Sequence, residues 1–425
     1  MGCIRNPTSK LLPKFRGIEM KKLLVTAIGL ATVCPSLVLA DAQELMTAIN
    51  SGKANMDVRL RTEWADYTTT KEAVATTIRS TLAYKTADYQ GFTGFIQFED
   101  ITNFGKEDYN SSINGKATYG VIADPSLTQV NQAFIEAYGV KVGRQKIVLD
   151  NARFVGDVGW RQNDQTFDAI TYTNKVLVPS TVFTVAYVNK VNNIVGKIIP
   201  VTAPMLNVRY SKVAGDFGIN ATAFYYGIEY DAVSATNGNA AQNVSPASSF
   251  QDLGTKIDGS FKDFLYEVSF AKQSDYADGT TPDADYMDLQ LGYNLGPVTI
   301  KLQQEVLEKG FKTPLATLHA FNGWADKFLT TPTKGLEDTN LKVLAKYAGY
   351  NFVLAGHSFK TDTDGVALGT ELDFSVAKNI NKNLSVLLKG AVYEADTDAK
   401  VLTAPTDAAL KADTKKGWVQ AVYKF

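Results

Sequence analysis

Asp57–Trp64, DVRLRTEW, sets Asp57, Arg59, Arg61 and Glu63 on one face of an extended chain and Val58, Leu60, Thr62 and Trp64 on the other. Four charges opposite an apolar face suit a wall with water on one side and lipid on the other. A soluble sandwich uses the same alternation for a core face and a solvent face, so this stretch alone leaves both classes open. The repetition of the pattern decides between them. Segments of roughly the 9–11 residues that a tilted strand needs to cross a bilayer recur about eighteen times, from 56–65, 74–85 and 92–102 to 416–425. Their connections alternate in length. TADYQG, VAGDFG, FKD, NLGP, AGY and NINKN carry the Gly, Asn, Asp and Pro of tight turns. Between them lie longer connections near 103–131, 150–165, 189–204, 227–251, 275–284, 307–337 and 396–415. Short turns on one rim and long loops on the other predict an all-β, transmembrane antiparallel barrel of about eighteen strands, with periplasmic turns and extracellular loops. The final strand, KGWVQAVYKF, places Val419, Ala421, Tyr423 and Phe425 on one face. An alternating strand ending on an aromatic resembles the signal that hands bacterial barrels to their assembly machinery.

At the other end, Met20-Lys21-Lys22 precedes LLVTAIGLATVCPSLVLA, a basic then apolar then small-residue order that predicts a signal peptide over 20–40. Residues 1–19 read as an upstream or non-native extension, and 41–425 as the barrel. Both cysteines, Cys3 and Cys34, fall in the segment expected to be removed, in keeping with passage through an oxidising periplasm without a disulfide framework. Removing 1–40 takes six of 43 basic and one of 44 acidic residues, leaving a net charge of −6, which argues against nucleic-acid binding. Charged residues make up 20% of the chain, and no apolar run after residue 40 approaches the length of a spanning helix.

Catalytic patterns are sparse. The histidines are His319 and His357, and no HExxH, GxSxG or P-loop sequence occurs. A surface barrel enzyme would have to use His319, or His357 with Ser358. Asp362–Gly365, DTDG, fails the EF-hand pattern because Lys360 occupies the first ligand position, although the carboxylate-rich outer loops leave calcium open. No cofactor or metal site is expected.

Alternation assigns Arg59, Arg61, Arg79, Arg144, Arg209, Lys301, Lys342, Lys346 and Lys389 to the watery face. With them come Asp57, Glu63, Glu99, Asp288, Glu305 and Asp373. Such charges line a pore and set its solute preference; Arg59, Arg61, Arg79 and Arg144 form a candidate basic patch for anions. Two segments depart from the strand pattern. Gly143–Asp168, GRQKIVLDNARFVGDVGWRQNDQTFD, mixes Arg153, Arg161, Asp150, Asp157, Asp164 and Trp160 with short apolar runs. Thr313–Gly335, TPLATLHAFNGWADKFLTTPTKG, repeats the theme with Phe321, Trp324, Asp326 and Phe328. Paired charges with apolar anchors predict loops that fold into the lumen and narrow it, or that brace the rim.

These two segments and the opening SGKANMDVRLRTEW resemble the signature stretches and first strand of the alginate-export family of outer-membrane porins. The resemblance implies a monomeric barrel of about eighteen strands in a Gram-negative outer membrane, passing hydrophilic, anionic or saccharide solutes. It also implies an arginine-rich constriction, for which Arg59, Arg61, Arg79, Arg144, Arg153 and Arg161 are candidates. Three readings stand at this point: a passive channel, a barrel enzyme using His319 or His357, and a plugged structural or adhesive barrel.

Overall fold

In the computed structural model, which describes residues 42–232 and 244–425, a short helix α1 (Ala42–Asn50) precedes eighteen strands. The expected signal peptide and upstream extension lie outside the described residues. The strands are β1 (Lys53–Tyr67), β2 (Ala73–Lys85), β3 (Phe92–Asn103), β4 (Leu127–Ala137), β5 (Val140–Gln145) and β6 (Thr166–Asn174). There follow β7 (Thr181–Asn192), β8 (Ile198–Ala214), β9 (Phe217–Tyr230), β10 (Phe250–Phe261), β11 (Phe264–Asp275) and β12 (Ala284–Leu295). The last six are β13 (Val298–Leu307), β14 (Leu336–Tyr347), β15 (Tyr350–Lys360), β16 (Ala367–Asn379), β17 (Leu384–Ala395) and β18 (Thr414–Lys424). Each pairs antiparallel with its sequence neighbours, and β1 pairs with β18 from Asp57↔Lys424 to Tyr67↔Thr414. The sheet is therefore closed and has no free edge, which is how a β-structure satisfies its backbone in a solvent without hydrogen bonds.

Side-chain parity separates two solvents. On β1, Arg59, Arg61 and Glu63 are buried inside the barrel while Leu60 is 44% exposed outside. The same order continues around the wall, where Leu82, Phe98, Leu253, Val268, Leu289, Leu302, Leu341, Leu354, Leu372, Leu388 and Val419 form an exposed belt. A polar inside and an apolar outside invert the order of a water-soluble protein and suit a lipid exterior. Aromatic residues gather at the short-turn rim, including Phe217, Phe261, Phe264, Tyr293, Tyr350, Tyr423 and Phe425. There the rings of Phe264 and Tyr293 meet edge to face at 4.7 Å, and Lys378 lies 4.0 Å from the Tyr350 ring centroid. Amphipathic rings with adjacent ammonium groups make a girdle at a membrane surface.

The turns explain the alternation in loop length. Tyr138-Gly139 and Ala348-Gly349 each have two positive φ angles (51° and 84°; 48° and 78°), the two-residue hairpin geometry that matches strand twist. On the opposite rim the long connections follow the sequence expectation, with one exception. The loop expected over 189–204 shrinks to 193–197 because Ile198, Ile199 and Val201 extend β8 along β7 and β9.

Charge placed on the outer face should be costly where charge in the lumen is not. Leu302→Arg is expected to destabilise the bilayer-inserted barrel by about 2–4 kcal/mol, whereas Gln303→Arg on the lumen face costs less than about 1 kcal/mol. Denaturant titration of both variants in lipid vesicles checks this.

Candidate functional site in the barrel lumen

Two long loops, 146–165 and 308–335, turn back into the barrel and bind each other before they bind the wall. Gly156 N–H donates to the Leu315 carbonyl (2.8 Å), Thr317 N–H to the Ala152 carbonyl (3.0 Å) and Val158 N–H to Thr317 Oγ1 (3.1 Å). The approach is close enough that a Cβ at Gly156 would lie 2.3 Å from Thr317 Oγ1. Gln165 clips both chains, its side-chain amide donating to the carbonyls of Gly156 (2.9 Å) and Leu315 (3.1 Å).

One side of this paired unit rests on an acidic wall. Arg153, fully enclosed, donates through Nε to Glu305 of β13 (2.6 Å) and through Nη2 to Asn322 (3.2 Å), with its guanidinium 4.8 Å from the Phe321 ring. Asn322 donates in turn to Glu305 (2.6 Å) and to Asp338 of β14 (3.2 Å). The next turn presents backbone donors, Trp324 N–H to Asp373 (3.2 Å) and Ala325 N–H to Glu371 (2.7 Å), both on β16. Bare N–H groups aimed at carboxylates hold this turn without using any side chain of their own.

The other side rests on a basic wall built by β1, β2, β17 and β18. Arg161 forms a forked pair with Glu63 of β1 (2.9 and 3.4 Å) and reaches Asp326 at 3.1 Å. Asp326 also accepts from Lys416 of β18 (2.7 Å) and from His319 Nδ1 (2.6 Å). Arg59 donates to Gln162 Oε1 (2.8 Å) and to the carbonyls of Gly159 (3.1 Å) and Arg161. Arg61 donates to Gln420 (2.6 Å) and lies 4.2 Å from the Trp160 ring centroid. Asp124, from the 104–126 loop, accepts from Gln162 N–H (2.9 Å) and stands 3.8 Å from Arg61. Arg79 pairs with Asp57 (3.1 Å) and Asp164 (3.7 Å), and Lys146 with Asp164 (2.5 Å) and Asp157 (3.5 Å). Asp150 anchors the far end of the 146–165 loop on β8, accepting from Asn207 at 2.7 Å.

Eleven of the twelve candidate residues thus converge on the lumen. The exception is Arg144. It shares a face with the exposed Val142, points outward near the long-loop rim and pairs there with Asp168 (2.8 Å). It leaves the candidate basic patch, and of the others Arg59 and Arg79 are engaged in holding the 146–165 loop. Inward cations that make no ion pair among the described residues and lie outside that patch include three lysines. Lys301 and Lys342 face each other across β13 and β14, and Lys346 follows on the same face of β14. Site residues outside the candidate set include Asp124, Gln162, Asn322, Glu371 and Lys416. Lys416 shares strand parity with Gln420 and Trp418 is inward beside it, and Glu371 shares parity with Asp373, sequence signals that were available; the loop residues Asp124, Gln162 and Asn322 carry none.

Both histidines are buried and engaged by neighbouring side chains. His357 is buried between Asp338 (2.9 Å) and Asp373 (3.6 Å), and Ser358 points to the opposite, exposed face, so the two cannot form a dyad. His319 stacks on Trp160 (4.5 Å, 6°) and accepts at Nε2 from Lys389 Nζ (2.7 Å), so the proton given to Asp326 is on Nδ1 and the ring is neutral. Burial, reinforced by the Lys389 ammonium, outweighs the Asp326 carboxylate and holds this imidazole well below its ordinary value. Burial opposes the charge on Asp326, but His319, Lys416 and Arg161 hold its carboxyl well below the usual carboxylate range.

Cavities open around the loops among the described residues. One of about 380 Å³ is bounded by Tyr67, Arg161, His319, Asp326 and Lys416 with Val121, Ile194 and Leu329. Another of about 410 Å³ is lined by Gln165, Asn193, Tyr230 and Pro314, and one of about 740 Å³ lies between Pro282, Phe311 and the 328–333 segment.

Solved structures share this architecture. OccAB3 of Acinetobacter baumannii superposes with a TM-score of 0.63 at 14% identity, covering 89% of this chain and 100% of its own. OccK3 (OpdO) of Pseudomonas aeruginosa gives 0.62 at 10% identity, covering 91% and 99%. The P. aeruginosa outer membrane protein OpdK, solved with vanillate, gives 0.61 at 10% identity, covering 88% and 98%. At such identities the likeness is one of fold. No family model matches the chain, and no curated protein matches it.

Two outcomes follow for the loops. Asp326→Asn removes the charge shared by Arg161 and Lys416 and leaves both buried cations short of a partner, a loss of about 3–5 kcal/mol in loop docking; faster amide exchange over 319–326 with β-strand protection unchanged is the expected reading. Both shifted groups weaken docking in acid. The undocked imidazole takes up a proton below about pH 6.5 that the docked one refuses, so docking is strongest above that pH and declines below it. The Asp326 contribution, present above about pH 3.8, is lost as pH falls through its depressed value. Loop amide protection, taken relative to the intrinsic exchange rate at each pH from 7.5 to 4.5, should therefore fall as pH falls, and His319→Gln should flatten the upper part of that profile.

Proposed function

We propose that this protein is an outer-membrane channel for passive diffusion of small or linear hydrophilic solutes in a Gram-negative envelope. The observation that carries this reading is a closed barrel with an apolar exterior and a charged lumen, narrowed by two loops pinned to opposite walls. A water-filled interior has to be polar, and loops folded inside it set the passage. Neighbouring folds include an outer membrane protein solved with vanillate, an aromatic carboxylate.

Anion preference belongs to Lys301, Lys342 and Lys346 in this reading. Like charges directly opposite across a strand pair repel, and a passing anion relieves that repulsion. The finer assignment, a linear uronate in the manner of the alginate-export family, rests on the two loop segments and the first strand. The same reading makes the protein a monomer, embedded in outer-membrane lipid and delivered to the assembly machinery through the strand that ends at Phe425. The number of buried ion pairs around the loops favours one rival, a plugged structural barrel.

Single-channel recording of the protein in planar bilayers separates the two. Under a salt gradient the channel is expected to open steadily with anion preference and to be blocked by added oligouronate. Replacing Lys301, Lys342 and Lys346 with Gln should move the reversal potential toward zero or to cation preference. An unchanged reversal potential defeats the lysine assignment, indifference to oligouronate removes the uronate, and silence favours the plug.

A further inference from the structure

Lys389 lies on the inner face of β17 with its ammonium desolvated and no carboxylate within ion-pair distance among the described residues. Its surroundings are aromatic instead. Nζ stands 3.6 Å from the ring centroid of Trp324, 4.1 Å from Trp160 and 5.5 Å from Trp418, and donates to His319 Nε2 at 2.7 Å. Three of the four tryptophans in the chain enclose one cation. They come from three separate elements: Trp160 from the 146–165 loop, Trp324 from the 308–335 loop, Trp418 from β18. His319 adds a second contact from the 308–335 loop, and its ring is locked in the accepting tautomer by Asp326.

A desolvated ammonium over several indole faces is the arrangement by which proteins recognise alkylammonium ions. We propose that Trp160, Trp324, Trp418 and His319 form an alkylammonium cage whose resident ligand is Lys389, and that this internal binding event latches both loops inside the lumen. The cation contributes what no apolar residue of the same length can, an attraction to both loops at once. Truncating Lys389 to alanine deletes the equivalent of a propylammonium ion, so the emptied cage should accept that ion from solution. The proposal rests on the channel reading only where current is the readout; loop position can be followed without it.

The test uses the protein purified from membranes with a reporter Ala325→Cys, a fully buried site on the docked turn; Cys3→Ser and Cys34→Ser keep any unprocessed chain from labelling. Maleimide labelling should be slow in this background and faster by about tenfold or more with Lys389→Ala. Added n-propylammonium should restore slow labelling while n-propanol does not. Lys389→Met, which keeps an apolar stem of four heavy atoms without the ammonium, should label as fast as the alanine variant, and Lys389→Arg should stay slow. Slow labelling of Lys389→Met, or equal rescue by propanol, would show that packing alone holds the loops and would overturn the latch. If Lys389→Ala loses the heat-stable folded band on gels, the Met and Arg variants decide the question. Recordings run in parallel keep the two ideas apart: a silent wild-type protein ends the channel reading and leaves the labelling result standing.

Discussion

Arg161 and Asp326 meet at 3.1 Å inside the barrel, one from each inserted loop, and each is tied to a different strand of the wall, Glu63 on β1 and Lys416 on β18. Burying these charges singly would cost several kcal/mol each, so none of the four is tolerable without the others. That mutual requirement fixes where the loops can sit. An apolar contact would let them slide, whereas a chain of alternating charges at hydrogen-bond distance has one register. The remaining anchors, Arg153 on Glu305 and the Trp324 and Ala325 amides on Asp373 and Glu371, extend the constraint to the far wall.

The lumen is thus organised by sign. Carboxylates of β13, β14 and β16 take the donors of the loops, while cations of β1, β2, β17 and β18 take their carbonyls, carboxylate and indole rings; Glu63 of β1, which takes Arg161, is the exception. The arginines of β1 and β2 serve this architecture: Arg59 and Arg79 reach Gln162, and Arg61 lies between Gln420 and the Trp160 ring rather than open to water. Charge free to meet a solute lies away from them, on the opposed lysines of β13 and β14.

Strand periodicity made the barrel legible. Alternation in stretches such as Asp57–Trp64 follows directly from the difference between lipid and water, and all eighteen strands fall where that pattern recurs. The rule weakens at the rims, where the outer face leaves hydrocarbon and a charge there costs little. Arg144 shares parity with Val142, not with the lumen, and its charge was a poor guide to its direction for this reason. Composition also marked the two loops, since Arg, Asp and Trp at that density suit neither lipid nor free solvent. Their partners could not be read, because Arg161 and Glu63 are 98 residues apart, Asp326 and Lys416 are 90 apart, and no periodicity links such positions. The roles of Lys389 and Lys416 needed the third dimension for the same reason.

The pairing of β1 with β18 also places the anchors of the two loops side by side. Glu63 and Lys416 sit within two residues of one another's register across that seam, Ala65 opposite Lys416 and Glu63 opposite Trp418. Arg161 is held from β1 and Asp326 from β18, so the ion pair between the two loops is clamped from both sides of the seam. The contacts that close the barrel and those that narrow it share the same pair of strands.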